Sequence, residues 1–599
     1  MLPRSWLSSE KNKRIFIFCI SMLIGAFLFI LIYGPYVLNP FYDDWIFTTG
    51  ERDLPQHYIG FCMYRSSPWQ FPLGLITTAS SPHDMSVIYA DAIPLFAFIF
   101  KLLNPILPQV FQYLGIYGLL SMALTGGIGA LIIYEIIRGR DDLKAVSEDS
   151  RQEAKAISAS SRDAAVPIAI VSSVFYSMNW VLIYRMFYHT SLTSHWLMLL
   201  AFYLWMRLDL KEHTLKNCLI YAGFSAVALL IHPYIWAMCA GITAMSLIEY
   251  LIRNKDVKKF LLYGFDFCIA GGLCLFVFGA FTGGTKASLG AGSYEANLNT
   301  FFNSMDFALL PGLPVTLLQY EGFGYLGAGV LLLVVVTAVV FIVGKASFLK
   351  KAGANINDDE QDKHKGMGVP VQKGNLRKWL YVITALCFII FSIIPEISWG
   401  DKVLLNINLG KLFGTFVGIF RSNGRFIWPV CYMLMTGVIV FIYRHINLKR
   451  FRLLLTLCLV IQIADMTPYI TEKHGIFAKG DYEYTGILDG NKAIDDVIGR
   501  YDHIVMDIKD GEVDQYLTYY AYLHGMTTND FYYARPIENK VQNTLEALRD
   551  DMTKGRYDDT LLYVLGKDQL PLYKDFDLHF YEIEGRYLAS HEAIDGLKE

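Results

Sequence analysis

Charge is scarce in this chain. Only 18% of its 599 residues are Asp, Glu, Lys or Arg, against about a quarter in ordinary soluble domains. With 54% apolar residues, including 40 Phe, 38 Tyr and 10 Trp, a water-soluble fold could not cover its apolar surface, so a cytosolic enzyme and a disordered scaffold are excluded. The nine cysteines are scattered, eight of them in apolar segments and none beyond residue 466. They form no CxxC pair and no disulfide framework, which excludes a secreted disulfide module and a cysteine metal knuckle. Residues 467–599 hold neither GxGxxG nor GxxxxGK[ST], no repeat of fixed period is present along the chain, and the acidic balance of that region argues against nucleic acid.

What is present is a set of long apolar runs. The net charge of −3 divides unevenly: residues 467–599 hold 26 acidic and 14 basic residues, a net of −12, and leave +9 on the apolar part. That is the balance of a bilayer protein with basic inner loops. Lys11-Asn12-Lys13-Arg14 precedes IFIFCISMLIGAFLFILIYG, too long for a signal peptide's apolar core and without a small-residue cleavage site, so it reads as an uncleaved first span. Further runs fall near 111–137, 166–183, 190–206, 218–231, 234–251, 261–282, 326–344, 379–394, 427–443 and 453–466. Eleven crossings of about 30 Å of hydrocarbon put Arg138/Arg140, Arg207/Lys211, Arg253/Lys258/Lys259, Lys345/Lys350/Lys351 and Arg444/Lys449/Arg450 on one side. The run at 91–103 would invert them all and is assigned to a juxtamembrane or re-entrant helix. The chain thus divides into a transmembrane part, 1–466, with a first outer loop at 36–110, and a tail, 467–599. Residues 141–165 and 352–376, charged and poor in apolar residues, read as flexible inner linkers.

The tail has folding patterns. HIVMDI (503–508) and TLLYVL (560–565) read as strands, 537–554 as an amphipathic helix and 578–590 as a strand pair, together a small α/β domain. With an odd number of crossings, the N-terminus lies inside and this domain outside.

The candidate chemistry gathers on the outer loops. Asp43 and Asp44 follow the first span, where a carboxylate is costly to place and so is a functional candidate; solvated loop residues with Trp45 as interfacial anchor are the plain alternative. Arg421 and Arg425 in FRSNGRFIWP depart from the positive-inside pattern, and their planar forks suit phosphate. Lys411 lies ten residues before; lipid-headgroup contact is the alternative for all three. His189 and His195 flank an outer turn near Arg185, but their i, i+6 spacing does not share a helical face. His232-Pro233 marks an outer apex where capping is the plain role. Tyr320-Glu321 offers a ring and a carboxylate to a sugar, with an anchor at the next span as the alternative. Asp266 reads as an interhelix hydrogen-bond partner.

Asp-Asp after the first span, the long Trp/Pro-containing outer loop, the Asp91-x-x-Pro94 helix start, the odd topology and the outer domain together resemble the GT-C superfamily of membrane glycosyltransferases. More closely, SPWQFPLG, YADAIPLFAFIFK, HTSLTSHWLML, HPYIW, QYEGFGYLG and FRSNGRFIWPV resemble a bacterial family of polytopic proteins with that architecture, over roughly residues 15–470. The resemblance implies an α-helical polytopic membrane protein with a C-terminal extracytoplasmic α/β domain, in the bacterial inner membrane. It implies transfer of a sugar from a polyprenyl-phosphate-linked donor to a glycan or lipid acceptor, in cell-surface glycan biosynthesis. The first outer loop supplies the catalytic aspartate in that superfamily, which falls on Asp44 in preference to Asp43. Arg421, Arg425 and Lys411 then bind the donor phosphate, and Asp91, His189, His195, His232, Tyr320 and Glu321 contact substrate. The Trp-Trp-Asp signature of oligosaccharyltransferases and the Asp-Glu pair of protein mannosyltransferases are missing, so the acceptor is not carried over. No cofactor is assigned, and a divalent metal is left open. Membrane lipids are partners and nucleic acid is not. The rival classes are a transporter or flippase, which usually shows matching broken-helix halves, and a polymerase of lipid-linked polysaccharide.

Overall fold

Helix α1 (Glu10–Tyr33) buries Ile17, Ser21, Gly25, Phe29 and Ile32 and leaves Leu23 and Phe27 exposed. The buried row repeats about every four residues, one face of a helix, and its small members let a neighbour approach. A Cβ on Gly25 would lie 2.8 Å from the Ala123 backbone, so glycine sets the contact with α5 (Leu114–Arg138). The first connection holds α2 (Asp44–Thr48), α3 (Asp53–Ser66), the two-stranded β1 (Leu75–Ile76) and β2 (Met85–Ser86), and α4 (Pro94–Leu102). At 1.5 Å per residue α4 is about 13 Å long, too short to cross a bilayer.

The computed structural model describes residues 9–49, 53–138, 151–210, 214–282, 294–316, 318–354, 375–410, 414, 417–508, 511–534 and 538–598. After α5 come α6 (Arg151–Ser177), α7 (Trp180–Arg185), α8 (Trp196–Arg207), α9 (Leu215–Ile231), α10 (Pro233–Asn254) and α11 (Val257–Val277). Then follow α12 (Ala328–Ala354), α13 (Asn375–Ile393), the hairpin β3 (Glu396–Trp399) and β4 (Lys402–Asn406), α14 (Trp428–His445) and α15 (Leu448–Phe477). Every apolar run expected to cross is helical. Among the described residues eight helical segments are long and apolar enough to do so, while Leu215–Ile231 and Ala328–Gly344 are shorter apolar helices and α8 has 12 residues. Leu261 and Phe265 on α11 and Leu453 and Leu457 on α15 point outward, the lipid-type faces that the composition demanded.

Polar residues inside these helices have structural employment. On α15, Asp465 Oδ2 accepts from Tyr325 Oη at 2.9 Å and from the Ala328 N–H at 3.0 Å, and Gln462 accepts from the N–H groups of Gly329 and Val330. Together they satisfy the otherwise orphaned first turn of α12. Asp266 on α11 interacts with Cys218 on α9, the interhelix role expected of it. Glu249 is gripped by Arg253, Arg377 and Trp205, and Arg138 pairs with Glu10 at 3.0 Å.

Three boundaries differ from the sequence reading. α6 starts at Arg151, so part of the segment expected as a linker at 141–165 is helix; residues 139–150 lie outside the described residues. In the second, 352–376, α12 continues to Ala354, and 355–374 fall outside the described residues. α15 runs through Pro468 to Phe477, past the expected end at 466, because the stretch TEKHGIF still packs Lys473 and Phe477 inward.

The C-terminal unit is a five-stranded mixed sheet in the order β6-β5-β7-β9-β8, built from β5 (His503–Asp507), β6 (Thr527–Thr528), β7 (Leu561–Leu565), β8 (His579–Ile583) and β9 (Arg586–Ser590). β5 pairs in parallel with β6 and β7, and the β8–β9 hairpin completes the sheet antiparallel. Glu584 and Gly585 both have positive φ between Ile583 and Arg586, the two-residue turn that matches strand twist. The helices are α16 (Lys492–Asp495), α17 (Gly511–Leu523) and α18 (Glu538–Thr553). The expected strands and helix are present; α17 and β6 are additional, since the Tyr-rich run of α17 shows neither a clean helical nor a clean strand alternation.

This unit locks onto the first connection. The Thr528 N–H donates to Thr78 O and the Ser81 N–H to Thr528 O, both at 2.8 Å, and the Ala534 N–H donates to Tyr89 O at 2.8 Å. Gln109 donates to Leu523 O at 2.6 Å and accepts through its own carbonyl from Tyr522 at 2.7 Å.

Candidate functional site

On α3, Asp53, Gln56 and His57 stand at i, i+3 and i+4 and so share one face. One turn on, a Cβ at Gly60 would lie 2.9 Å from the Ala90 side chain. Glycine there lets the 87–90 turn rest on α3 and delivers Asp91 beside His57. Asp91 and Ile93 adopt left-handed φ of +52° and +51°, a conformation that costs a β-branched residue about 1–3 kcal/mol and collects at functional sites. Helix α4 starts at Pro94 as the Asp91-x-x-Pro94 pattern expects, with Ile93 directly before it, so Asp91 does not cap this helix. Asp91 turns instead to His232, whose Nε2 lies 3.1 Å from its Oδ1. His232 Nδ1 accepts from the Tyr234 N–H at 3.0 Å and caps α10, which leaves the proton of the neutral ring on Nε2 to donate to Asp91. The expected capping role is thus present, with a carboxylate contact added.

A third left-handed residue, Phe187 at φ +61°, lies two positions before His189. The Nδ1 of His189 is 3.0 Å from Asp53 Oδ2, yet the pair is not aligned as a hydrogen bond. Asp53, Gln56, Asp91, His189, His232, Tyr320, Glu321, Arg421 and Arg425 line one cavity of about 550 Å³, and Tyr532 and Ala534 of the C-terminal unit also line it. Burial, with the charges of Asp91 and Glu321 added, pushes the Asp53 carboxyl up to about 6. Burial also drives His57 down to about 4 and His189 well below the usual imidazole range, so both rings are neutral. Asp91 is buried too, but the hydrogen bond from His232 outweighs burial and holds its carboxyl well below the ordinary range.

The floor is an ionic triad. Glu321 Oε2 accepts from Arg185 at 2.7 Å and from Arg425 Nε at 2.8 Å, while Oε1 accepts from Arg425 Nη2 at 2.9 Å. Arg185 is fully buried and packs against the rings of Tyr184, Tyr188 and Trp428; Arg425 lies over Tyr234. This corrects two expectations. The bidentate fork of Arg425 is taken by Glu321, and the Glu321 carboxylate is filled by arginines before any sugar arrives. Arg421 is exposed, stacks 4.8 Å from the Tyr294 ring and donates to its hydroxyl at 3.0 Å. It is the arginine of the pair presented to a ligand.

Residues 22–467 match a domain of unknown function, DUF6311, and residues 493–591 match the DUF6311 C-terminal domain. The chain belongs to the DUF6311 family. No curated protein matches it. The two family regions divide the chain as the structure does, into the helical part and the sheet, and the cavity draws its lining from both.

Other sequence candidates lie elsewhere. Asp43, the N-cap of α2, is buried and accepts from Tyr519 of the C-terminal unit; burial raises its carboxyl above the usual range. Asp44 Oδ1 accepts from the Tyr484 N–H at 2.9 Å. Neither lines the cavity: the acidic pair read as a reactive boundary site is where the tail docks. His195 is buried with its Nδ1 2.9 Å from Tyr432 Oη, away from His189. Lys411 falls outside the described residues. The sequence reading overlooked Asp53 and His57, although three polar side chains at i, i+3, i+4 within DLPQHYIGFCMY were a visible signal, and it noted Arg185 only as a neighbour.

Proposed function

We propose that the chain is a membrane glycosyltransferase of GT-C-like architecture that moves a sugar from a polyprenyl-phosphate-linked donor to a glycan or lipid acceptor at the outer face of the bacterial inner membrane. The observation that carries this reading is the cavity, where carboxylates and an exposed arginine face one another. Its lining comes from the first connection, from 188–189, 232–234, 320–321 and 419–425, and from the tail. Each of these follows an odd-numbered apolar run, which supports eleven crossings with the N-terminus inside and the tail outside. Reporter fusions at residues 355 and 599 should read inside and outside; one location for both would overturn the odd count.

A sugar on a polyprenyl phosphate carries a good leaving group, so the enzyme needs a base for the acceptor hydroxyl and fixed donors for the departing phosphate. Asp53 is a partly desolvated carboxylate facing the cavity, and Arg421 offers a planar fork at its rim. The resemblance implies Asp44 as the base and the cavity lining favours Asp53, so the two substitutions decide. Asp53→Asn is expected to slow transfer of labelled sugar from polyprenyl-phosphate donors by about 10²–10⁴-fold, and Arg421→Lys to weaken donor use, because charge without the fork is insufficient. Asp44→Asn keeps an oxygen for the Tyr484 N–H and should stay active. The reverse pattern returns the base to Asp44, and full activity in both removes the mechanism.

A further inference from the structure

We propose that His57, Asp91 and His189 bind one divalent transition-metal ion in the wall of this cavity. The three residues come from separate segments, α3, the turn after β2 and the connection before α8, and a ligating atom of each lies within 4.8 Å of the others. Ligand bonds of about 2.0–2.2 Å place tetrahedral neighbours roughly 3.4 Å apart, so small side-chain rotations close the set around an ion.

The second observation is the state of His57. It is 1% exposed, and neither of its ring nitrogens has a hydrogen-bond partner. Buried polar atoms are almost always paired, and a buried imidazole that pairs with nothing lacks the kind of partner that a metal supplies. The surroundings complete the picture. His232 fixes the orientation of Asp91 through one carboxylate oxygen and leaves the other available, and Asp53 stands 3.0 Å from His189 Nδ1, where a small rotation of the ring would align the pair as a hydrogen bond. Such outer partners orient metal ligands and strengthen them as donors. Glu321 offsets one of the two nearby positive charges of Arg185 and Arg425, and Asp53 and Asp91 bring further negative charge to the same cavity, which lessens the repulsion of a cation.

Two imidazoles and one carboxylate suit zinc and similar borderline ions, whereas magnesium and calcium take oxygen sets. Three protein ligands leave a fourth position, and since Asp91 and His189 line the cavity that position opens into it. There it can hold a water or a phosphate oxygen; contact with a donor phosphate rests on the glycosyltransferase reading, and binding of the ion does not.

The test uses the full chain, purified in detergent with a tag free of histidine, stripped with chelator and titrated with Co²⁺ and Zn²⁺. About one equivalent of Co²⁺ should bind with a visible absorption band, and His57→Ala and Asp91→Asn should each weaken binding at least about tenfold, while His524→Ala leaves it unchanged. X-ray absorption of the zinc-loaded wild type should show two imidazole ligands, a readout that needs no variant to fold. Wild-type protein that takes up no Co²⁺ beyond the His57→Ala/His189→Ala double variant, or zinc without histidine ligands, overturns the site. Metal binding without sugar transfer keeps the site and discards the glycosyltransferase reading instead.

Discussion

Glu321→Gln removes one charge from the triad and leaves two guanidiniums facing a neutral amide. The contacts at stake are the three at 2.7, 2.8 and 2.9 Å, and the glutamate is 4% exposed, so water cannot replace the lost charge. Breaking a buried pair by removing one partner costs about 3–5 kcal/mol. The amide keeps the shape and one acceptor oxygen, which places the loss near the lower end, about 3 kcal/mol. For a cooperative unit of roughly 450 residues, an unfolding entropy of about 2.1 cal/mol/K per residue turns this into a fall in Tm of about 3 °C. The same pair makes stability pH-dependent. Burial raises the Glu321 carboxyl, but the Arg185 and Arg425 charges more than offset it and hold it well below the ordinary range. The contribution is therefore present above the unfolded value of about 4.3 and is lost as pH falls below it. The assay is thermal melting of the detergent-solubilised protein at neutral pH. The comparison is the triple variant Arg185→Met/Glu321→Leu/Arg425→Met, which removes every charge at once and should melt above Glu321→Gln, since buried ion groups are often replaceable by apolar ones. A Glu321→Gln melt within 1 °C of wild type, or a triple variant worse than the single one, would refute a desolvated triad.

Tyr519→Phe withdraws the hydroxyl that Asp43 accepts from and leaves a buried carboxylate short of a donor, at a cost of about 1–3 kcal/mol. Limited proteolysis after Phe477 should accelerate, and unchanged cleavage would show that this contact does not hold the sheet unit in place. Burial pushes the His503 imidazole down to about 4, below its unfolded value of about 6.5. Between those values the unfolded chain binds the extra proton, so stability is full above about pH 6.5 and falls as pH drops towards 4. His503→Gln should flatten that part of the Tm–pH curve; an equal slope in both proteins would assign the acid sensitivity elsewhere.

Composition and hydropathy by themselves determined that this is a chain of apolar helices ending in a small α/β unit, because a span needs a continuous apolar run and a strand needs alternation, and both are local properties of sequence. The strands at 503–508, 560–565 and 578–590 and the helix at 537–554 were readable for that reason, as were His232 as a cap and the origin of His189, Tyr320, Glu321 and Arg421 in the connections between apolar runs. What the tertiary structure decided was which polar groups meet. Asp43 and Asp44 look reactive in sequence, yet they are claimed by Tyr519 and Tyr484, some 440 or more residues away. Arg425 looks free, yet Glu321 occupies it from another connection. Asp53 and His57 sit in an unremarkable helix until Gly60 admits the turn that carries Asp91. A charge's worth depends on burial and on its partners, and both are set by segments distant in the chain that only folding brings within hydrogen-bond reach.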